Sequence, residues 1–389
     1  MRETIRSLLD VALEAVDPAR LTSQALEKDG PGTRSVIAIG KAAPGMTWGA
    51  HETLGPIQGI CVSAEPATVP DGIEGLVGDH PVPGEASFVA GDRVLRTAAE
   101  SERGCVVLVS GGGSSVCEWP RPGVDRAWLR EVNQRLLLSG ASISDTNIVR
   151  GHLSAIKCGG LARAGTGPYP TYILSDVAGE GPEIVASGPT LPMGYEPERA
   201  REILEDIGMD IPVTVWSAMT TEPERQIEPV PMTVVGDGLT AARAAADRAS
   251  DLGIEARVDD GWLTGETGSA VDRLLGEPVP GLTITAGETT VKVGRAHGQG
   301  GRNTHAALLA AERISGTDWV FGAFATDGVD GSAGAAGAIV DGETLDRGGD
   351  PSHSLSEFDS ATYLGRSGDL VVTGPTGTNV ADLWVLWRP

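Results

Sequence analysis

The sequence predicts two α/β domains built on mostly parallel sheets. Short apolar, β-branched runs recur along the chain, and each stops at a polar or glycine-rich turn. Such runs suit strands buried on both faces. Helical apolar spacing lies between several of them, and strand–helix alternation favours open, largely parallel sheets. The length of 389 residues exceeds one ordinary core at roughly 150 residues per domain.

The elements follow in order. Ile5, Leu8, Leu9, Ala12, Leu13 and Val16 recur at helical spacing and predict an amphipathic helix packed on the body. A strand at Ser35–Gly40 runs into Lys41, and one at Cys105–Ser110 runs into Gly111, Gly112, Gly113, Ser114 and Ser115. Thr171–Ser175 runs into Asp176. The proline- and acid-rich stretch Pro212–Pro231 reads as a linker or excursion, which divides the chain into domains 1–225 and 226–389. Met232–Gly236 leads into Asp237. Leu239, Ala242, Ala245, Ala246, Ala249 and Leu252 then fall on one helix face, with Gly253 as the stop. Further strands are Leu282–Ala286 before Glu288, Trp319–Ala325 before Asp327, and Leu370–Thr373 before a loop reaching Asn379. Ligands of open α/β sheets sit beyond the carboxyl ends of the strands, where these polar clusters lie.

Composition narrows the function. Acids number 53 against 30 basic residues, for a net charge of −23. A surface of that sign repels nucleic acid and anionic membranes. The acids are spread along the chain, and only Lys28, Lys41, Lys157 and Lys292 are lysines. That combination predicts adaptation to a salt-rich cytoplasm, where self-repulsion is screened. No apolar run reaches the ~18 residues of a membrane span, and the N-terminal stretch has acids where a secretory leader would be apolar. Cys61, Cys105, Cys117 and Cys158 are scattered, which favours buried thiols over a disulfide or zinc framework. The sequence allows a homodimer without specifying one.

Several constellations could carry chemistry. Consecutive glycines at 111–113 let backbone N–H groups approach an anion, although a plain turn needs them too. The loop is neither a Walker A motif nor a nucleophile elbow. Gly298-Gln-Gly300-Gly301-Arg302-Asn303 is a second glycine-rich turn, here carrying a guanidinium fork matched to phosphate or carboxylate. Asp327 and Asp330 flank a tight turn, and Asp176 also follows a strand. These carboxylates suit Mg²⁺ or a hydroxyl proton, and equally an Asx-type turn. Lys41 is a mobile point charge at a strand end, and Lys157 sits in a glycine-flanked stretch.

The ordered set of segments is more specific than any one of them. Gly40-Lys-Ala-Ala43, His80-Pro-Val-Pro-Gly84, Ser110–Ser115, Asn147-Ile-Val-Arg150, His152-Leu-Ser154, Ala186–Thr190, Gly298–Asn303, Thr326–Gly331 and Thr373–Asn379 resemble the glycerate 2-kinases, with an N-terminal Rossmann-like domain and a C-terminal MOFRL domain. The resemblance implies ATP- and Mg²⁺-dependent phosphorylation of D-glycerate at its 2-hydroxyl, in a cleft between the domains. It points to Lys41 and Arg302 as the basic residues of that cleft, with the loop Ser110, Gly111, Gly112, Gly113, Ser114 and Ser115 taking nucleotide phosphate or substrate. From the residues themselves, Lys41, Arg302 and Asp327 are expected to be catalytic and Lys157, Gly300, Gly301 and Asn303 to bind substrate or nucleotide; Asp176 is expected on the metal, although Asp327 or Asp176 could equally orient Mg²⁺ or the attacking hydroxyl. The sequence departs from the family at Thr304 and His305, at Cys158, and at Glu180, which stands alone where two acids are usual. A hydroxypyruvate reductase would need Gly-x-Gly-x-x-Gly at the first strand–helix turn, and Gly40-Lys41-Ala-Ala-Pro-Gly45 lacks it. A binding regulator without catalysis would have no use for Lys41, Arg302 and Asp327 together.

Overall fold

A computed structural model describes residues 1–177, 181–192, 194–222, 225, 227, 231–277, 279–294 and 297–389. The chain divides into two units. One comprises residues 18–175 and the chain onward to 235. The other comprises residues 1–17, a short stretch from Asp176, and 236–389.

In the first unit the predicted apolar runs form β1 (Ser35–Ile39), β4 (Val106–Ser110) and β5 (Thr171–Leu174). Two strands absent from the sequence prediction join them, β2 (Gln58–Ser63) and β3 (Ile73–Val77). With β6 (Met232–Gly236) the sheet order is β3-β2-β1-β4-β5-β6. The pairs β1–β2, β1–β4, β2–β3 and β4–β5 are all parallel. This is the order of doubly wound nucleotide-binding folds, which reverses between β1 and β4. Helices complete the layers. Asp125 caps the helix Arg126–Ser139 by accepting from Trp128 N at 3.0 Å, and Gly140 ends it at φ 71°. That helix buries Leu129, Val132 and Leu136 with Phe88, Val149, Leu153 and Leu204 in one apolar cluster.

The second unit carries β7 (Ala256–Leu263), β8 (Gly281–Gly287), β9 (Val320–Ala325), β10 (Gly337–Asp341), β11 (Leu370–Val371) and β12 (Asp382–Arg388), ordered β11-β10-β9-β12-β8-β7. β7 and β8 are parallel, while β12 runs against both β8 and β9, and β10 against β9 and β11. Four strands therefore share a direction and two oppose them. Phe321, Trp384 and Leu386 of the central strands pack on Ala307, Leu308 and Ala311 of the helix Arg302–Ile314.

Both predicted helices appear. Arg2–Ala15 buries Ile5, Leu8, Leu9 and Ala12, and Gly238–Asp251 buries Ala242, Ala245 and Ala249, with Gly253 at φ 75° beyond it. The two pack together, which is why residues 1–17 belong with the later part of the chain. The changeover at 235/236 lies beyond the sequence boundary at 225/226, because β6 finishes the first sheet before the chain leaves it. All four cysteines are buried and outside any disulfide among the described residues, and burial pushes the Cys61 and Cys158 thiols up to about 11. Among the described residues no helix is long and apolar enough to cross a membrane.

Candidate active site

In the first unit the sheet order reverses between β1 and β4, and the loops leaving those strands carry Lys41 and Gly111–Ser115. The backbone locks the two loops together. Lys41 N donates to Gly111 O at 2.9 Å, and Ala42 N donates to Ser110 Oγ at 3.0 Å. Gly40, at φ 125°, makes this approach possible, since a Cβ there would lie 2.4 Å from Ser110 O. Gly112, at φ 79°, is favoured by its left-handed backbone, and a Cβ there would lie 3.2 Å from the Lys41 stem and 3.4 Å from the His80 ring. Lys41 is half-buried and is brought directly beside the glycine turn.

The serines of that turn face inward. Ser110 Oγ is taken by Ala42 N, Ser115 Oγ donates to Gly112 O at 3.0 Å, and Ser114 Oγ meets Ser187 Oγ at 2.8 Å. Ser187 in turn donates to Asn147 Oδ1 at 2.6 Å. The hydroxyls thus set the shape of the turn, leaving its backbone as the part suited to an anion.

Lys157 departs from its expected role. Its side chain is 1% exposed, and its ammonium pairs with Glu118, which is 0% exposed. Glu118 also accepts from Ser154 Oγ at 2.5 Å and from Trp119 N at 2.9 Å. Burial pushes the ammonium pKa down, opposed by Glu118. A charge so enclosed and partnered serves the fold, and it is not placed to meet a ligand.

In the second unit the ends of β8 and β9 and the start of β12 meet at one sheet edge, since Asp382 pairs in register with both Gly287 and Ala325. Arg302 opens the helix Arg302–Ile314 at that edge. Its Nε and Nη2 donate to the two Asp382 oxygens at 2.5 and 3.0 Å, and Nη1 donates to Glu288 at 2.5 Å. Arg302 remains 32% exposed, while Asp382 is buried at 1%. Burial pushes the Asp382 carboxyl up to about 6, against the pull of Arg302. Three of the five guanidinium N–H groups are used in these bonds, leaving one on each terminal nitrogen.

Asp330 caps the same helix. Its Oδ1 accepts from Asn303 N at 2.9 Å, and its Oδ2 accepts from Thr304 N at 2.7 Å and Thr304 Oγ1 at 2.8 Å. Gly301 is glycine because a Cβ would sit 2.4 Å from Asp330, and at Gly300 one would sit 2.5 Å from Ser360 Oγ. Asn303, expected at a ligand, is fully buried. It donates to Asp330 and accepts from Trp384 Nε1 at 2.9 Å. Its amide is spent on orienting the turn. The sequence alone did not mark Asp382, Glu288 or Asp330 for these duties, because each depends on strand register or a contact across the turn.

Asp327 is half-buried and accepts from Val329 N at 3.0 Å, which is the Asx-type arrangement. Its loop is tied to 373–381: Thr376 Oγ1 donates to Thr326 O at 2.5 Å, and Val380 N donates to Thr326 Oγ1 at 2.9 Å. In that second loop Asn379 Nδ2 donates to Asp176 Oδ2 at 3.1 Å. Asp176 and Asp327 thus sit on structure tied to one loop. Glu180 lies outside the described residues. Among the described residues no three His, Cys, Asp or Glu side chains form a closed metal cage. Hard carboxylate oxygens such as those of Asp176 and Asp327 nevertheless fit Mg²⁺, which commonly takes one or two carboxylates and completes its shell with water and phosphate.

A cavity of about 760 Å³ opens at the other end of the first sheet, lined by Ser35, Gln58 and Gly59 at strand starts. The carboxyl-end rule for open α/β sheets favours the Lys41 end over this cavity.

Comparison with known proteins adds the following. Residues 4–220 match the model described as a domain of unknown function, DUF4147, and residues 281–382 match the MOFRL family. A protein of Agrobacterium vitis provisionally named a hydroxypyruvate reductase is 37% identical, over 98% of this chain and 93% of its own. The D-glycerate 2-kinase of Thermotoga maritima is 35% identical, over 96% of this chain and 94% of its own. The crystal structure of a glycerate kinase from Thermotoga maritima superposes with a TM-score of 0.89 at 33% identity, covering 100% of this chain and 99% of that one.

Proposed function

Because this chain belongs to the glycerate 2-kinase family, we propose that it transfers a phosphoryl group from ATP to the 2-hydroxyl of D-glycerate, giving 2-phosphoglycerate. The observation that carries this is Lys41 at the reversal point of the first sheet, hydrogen-bonded through its backbone to a glycine turn. Phosphoryl transfer needs positioning and charge neutralisation more than covalent chemistry. Lys41 supplies a compact positive charge for the transferring group. The backbone of Gly111–Gly113 approaches phosphate oxygens. Arg302, its orientation held by Asp382 and Glu288, keeps two N–H groups for a substrate carboxylate or phosphate. Mg²⁺ would be held by Asp176 or Asp327 and would neutralise nucleotide phosphate charge; the other carboxylate would accept the hydroxyl proton. Lys157 and Asn303 have structural duties in this scheme. We place the enzyme in the cytoplasm, with small molecules as its partners.

The name of the Agrobacterium vitis relative raises hydroxypyruvate reduction as a second reading. Purified protein should release ADP from ATP only when D-glycerate is present, and should leave NADH untouched with hydroxypyruvate. NADH oxidation without glycerate-dependent ADP would reverse the assignment.

A further inference from the structure

Many arginines of this acidic chain face carboxylates: Arg93 meets Glu74, Arg135 meets Glu131, and Arg257 meets Glu277. Three in the first unit behave otherwise. Arg121, Arg163 and Arg225 line one cavity of about 250 Å³. Among the described residues none of the three forms an ion pair. Each is anchored to a backbone carbonyl instead. Arg121 Nη2 donates to Thr221 O at 2.8 Å, Arg163 Nη1 donates to Cys158 O at 2.8 Å, and Arg225 Nη1 donates to Gly165 O.

A carbonyl orients a guanidinium without neutralising it. Arg163 goes further, because its Nε is buried with no hydrogen-bond partner. A buried donor left unmet is unfavourable unless something supplies an acceptor. The positive charge of Arg121 also bears on Arg163. The other polar groups of the wall do not offset this. The Tyr195 hydroxyl donates to Met219 O at 3.0 Å, and His152 sits between Met219 O and Glu196 N. The one described carboxylate of the lining, Glu222, is exposed. In a chain of net charge −23, a pocket that holds three positive charges and, among the described residues, no ion pair suits an anion.

Guanidinium forks match the oxygens of a phosphate group. The cavity has room for inorganic phosphate or a phosphomonoester of a few carbons. We propose that this pocket is a second anion site, binding a small phosphorylated ligand through Arg121, Arg163 and Arg225. It lies wholly within the first unit and does not depend on the assignment of Lys41.

The test uses inorganic phosphate as the probe, titrated at constant ionic strength against chloride. Melting is followed for the wild-type protein, for Arg121→Gln/Arg163→Gln, and for Lys41→Ala. Phosphate should raise the melting temperature of wild type and Lys41→Ala alike, and should have lost most of that effect in the double variant. No rise in wild type, or a rise lost in Lys41→Ala and kept in the double variant, overturns the site. If the double variant does not fold, phenylglyoxal labelling of the wild-type protein decides, read by peptide mass. Phosphate should slow modification of Arg121 and Arg163 several-fold relative to exposed arginines elsewhere, and equal rates with and without phosphate overturn the site.

Discussion

Asp382, buried at the start of β12, holds both oxygens on the Nε and Nη2 of Arg302. The guanidinium is thereby fixed at the edge where β8, β9 and β12 meet. Asp382→Asn should keep the fold and lower kcat/KM by about 10–100-fold, as found for partners that orient site residues elsewhere. The carboxylate must be ionised to hold the guanidinium, and its pKa is raised to about 6. Activity should therefore fall as pH drops through about 6, and the variant should lack that limb. Equal pH–rate profiles for the two proteins would remove Asp382 from this role.

The Lys157–Glu118 pair gives a prediction about stability. Breaking a buried pair from one side leaves the other charge uncompensated, at about 3–5 kcal/mol. Lys157→Met and Glu118→Gln should each cost that much in denaturant unfolding. The double variant should cost less than either single one. Its kcat should stay near wild type, since neither residue is placed to meet a ligand. A large kcat loss at full stability would return Lys157 to the site.

His152 accepts from Glu196 N through Nε2 at 3.0 Å, so its Nδ1 carries the proton donated to Met219 O at 3.2 Å. Burial lowers its pKa, so the fold prefers the neutral ring. The unfolded chain binds this proton near pH 6.5, so the stability from the neutral ring is present above about 6.5. It is lost as pH falls through the lowered folded value. Unfolding free energies of wild type and His152→Gln, measured from pH 8 to pH 5, should converge at the acid end. A difference independent of pH would contradict this.

Net charge predicts a salt response. The Debye length is about 30 Å at about 0.01 M salt and about 3 Å at about 1 M, so self-repulsion from a charge of −23 is screened only in concentrated salt. The melting temperature should climb between dilute and molar KCl. A flat or falling curve would remove the case for salt adaptation.

What the sequence disclosed, and what it hid, has a physical pattern. Fully buried strands such as Val106–Ser110 and Val320–Ala325 announce themselves as continuous apolar runs. β3 was hidden because its residues after Ile73 are largely exposed and read as mixed sequence, and β7 because Asp259 and Asp260 break its pattern. β12 is apolar and central. A prediction built on strand–helix alternation passes over it, since it enters antiparallel with no helix following. At the candidate site, the sequence places Lys41 and Asp327 just beyond strands, and the structure puts both there, with Arg302 opening a helix after its glycine-rich turn. Their partners were not, because Asp382 meets Arg302 across 80 residues and only strand register joins them. Lys157 and Asn303 misled for a related reason, since a polar residue between glycines looks the same whether it faces a ligand or the core.

Lys41→Arg tests the account most directly. Positive charge alone could come from arginine, which outnumbers lysine 26 to 4 here. An ammonium is a compact point charge, whereas a guanidinium is a wide planar fork that makes different contacts with a phosphoryl group. Melting should be unchanged, and kcat with saturating ATP and D-glycerate should fall by about 10²–10³, the loss expected for one electrostatic stabiliser of a transition state. A kcat near wild type would contradict the placement of phosphoryl transfer at Lys41.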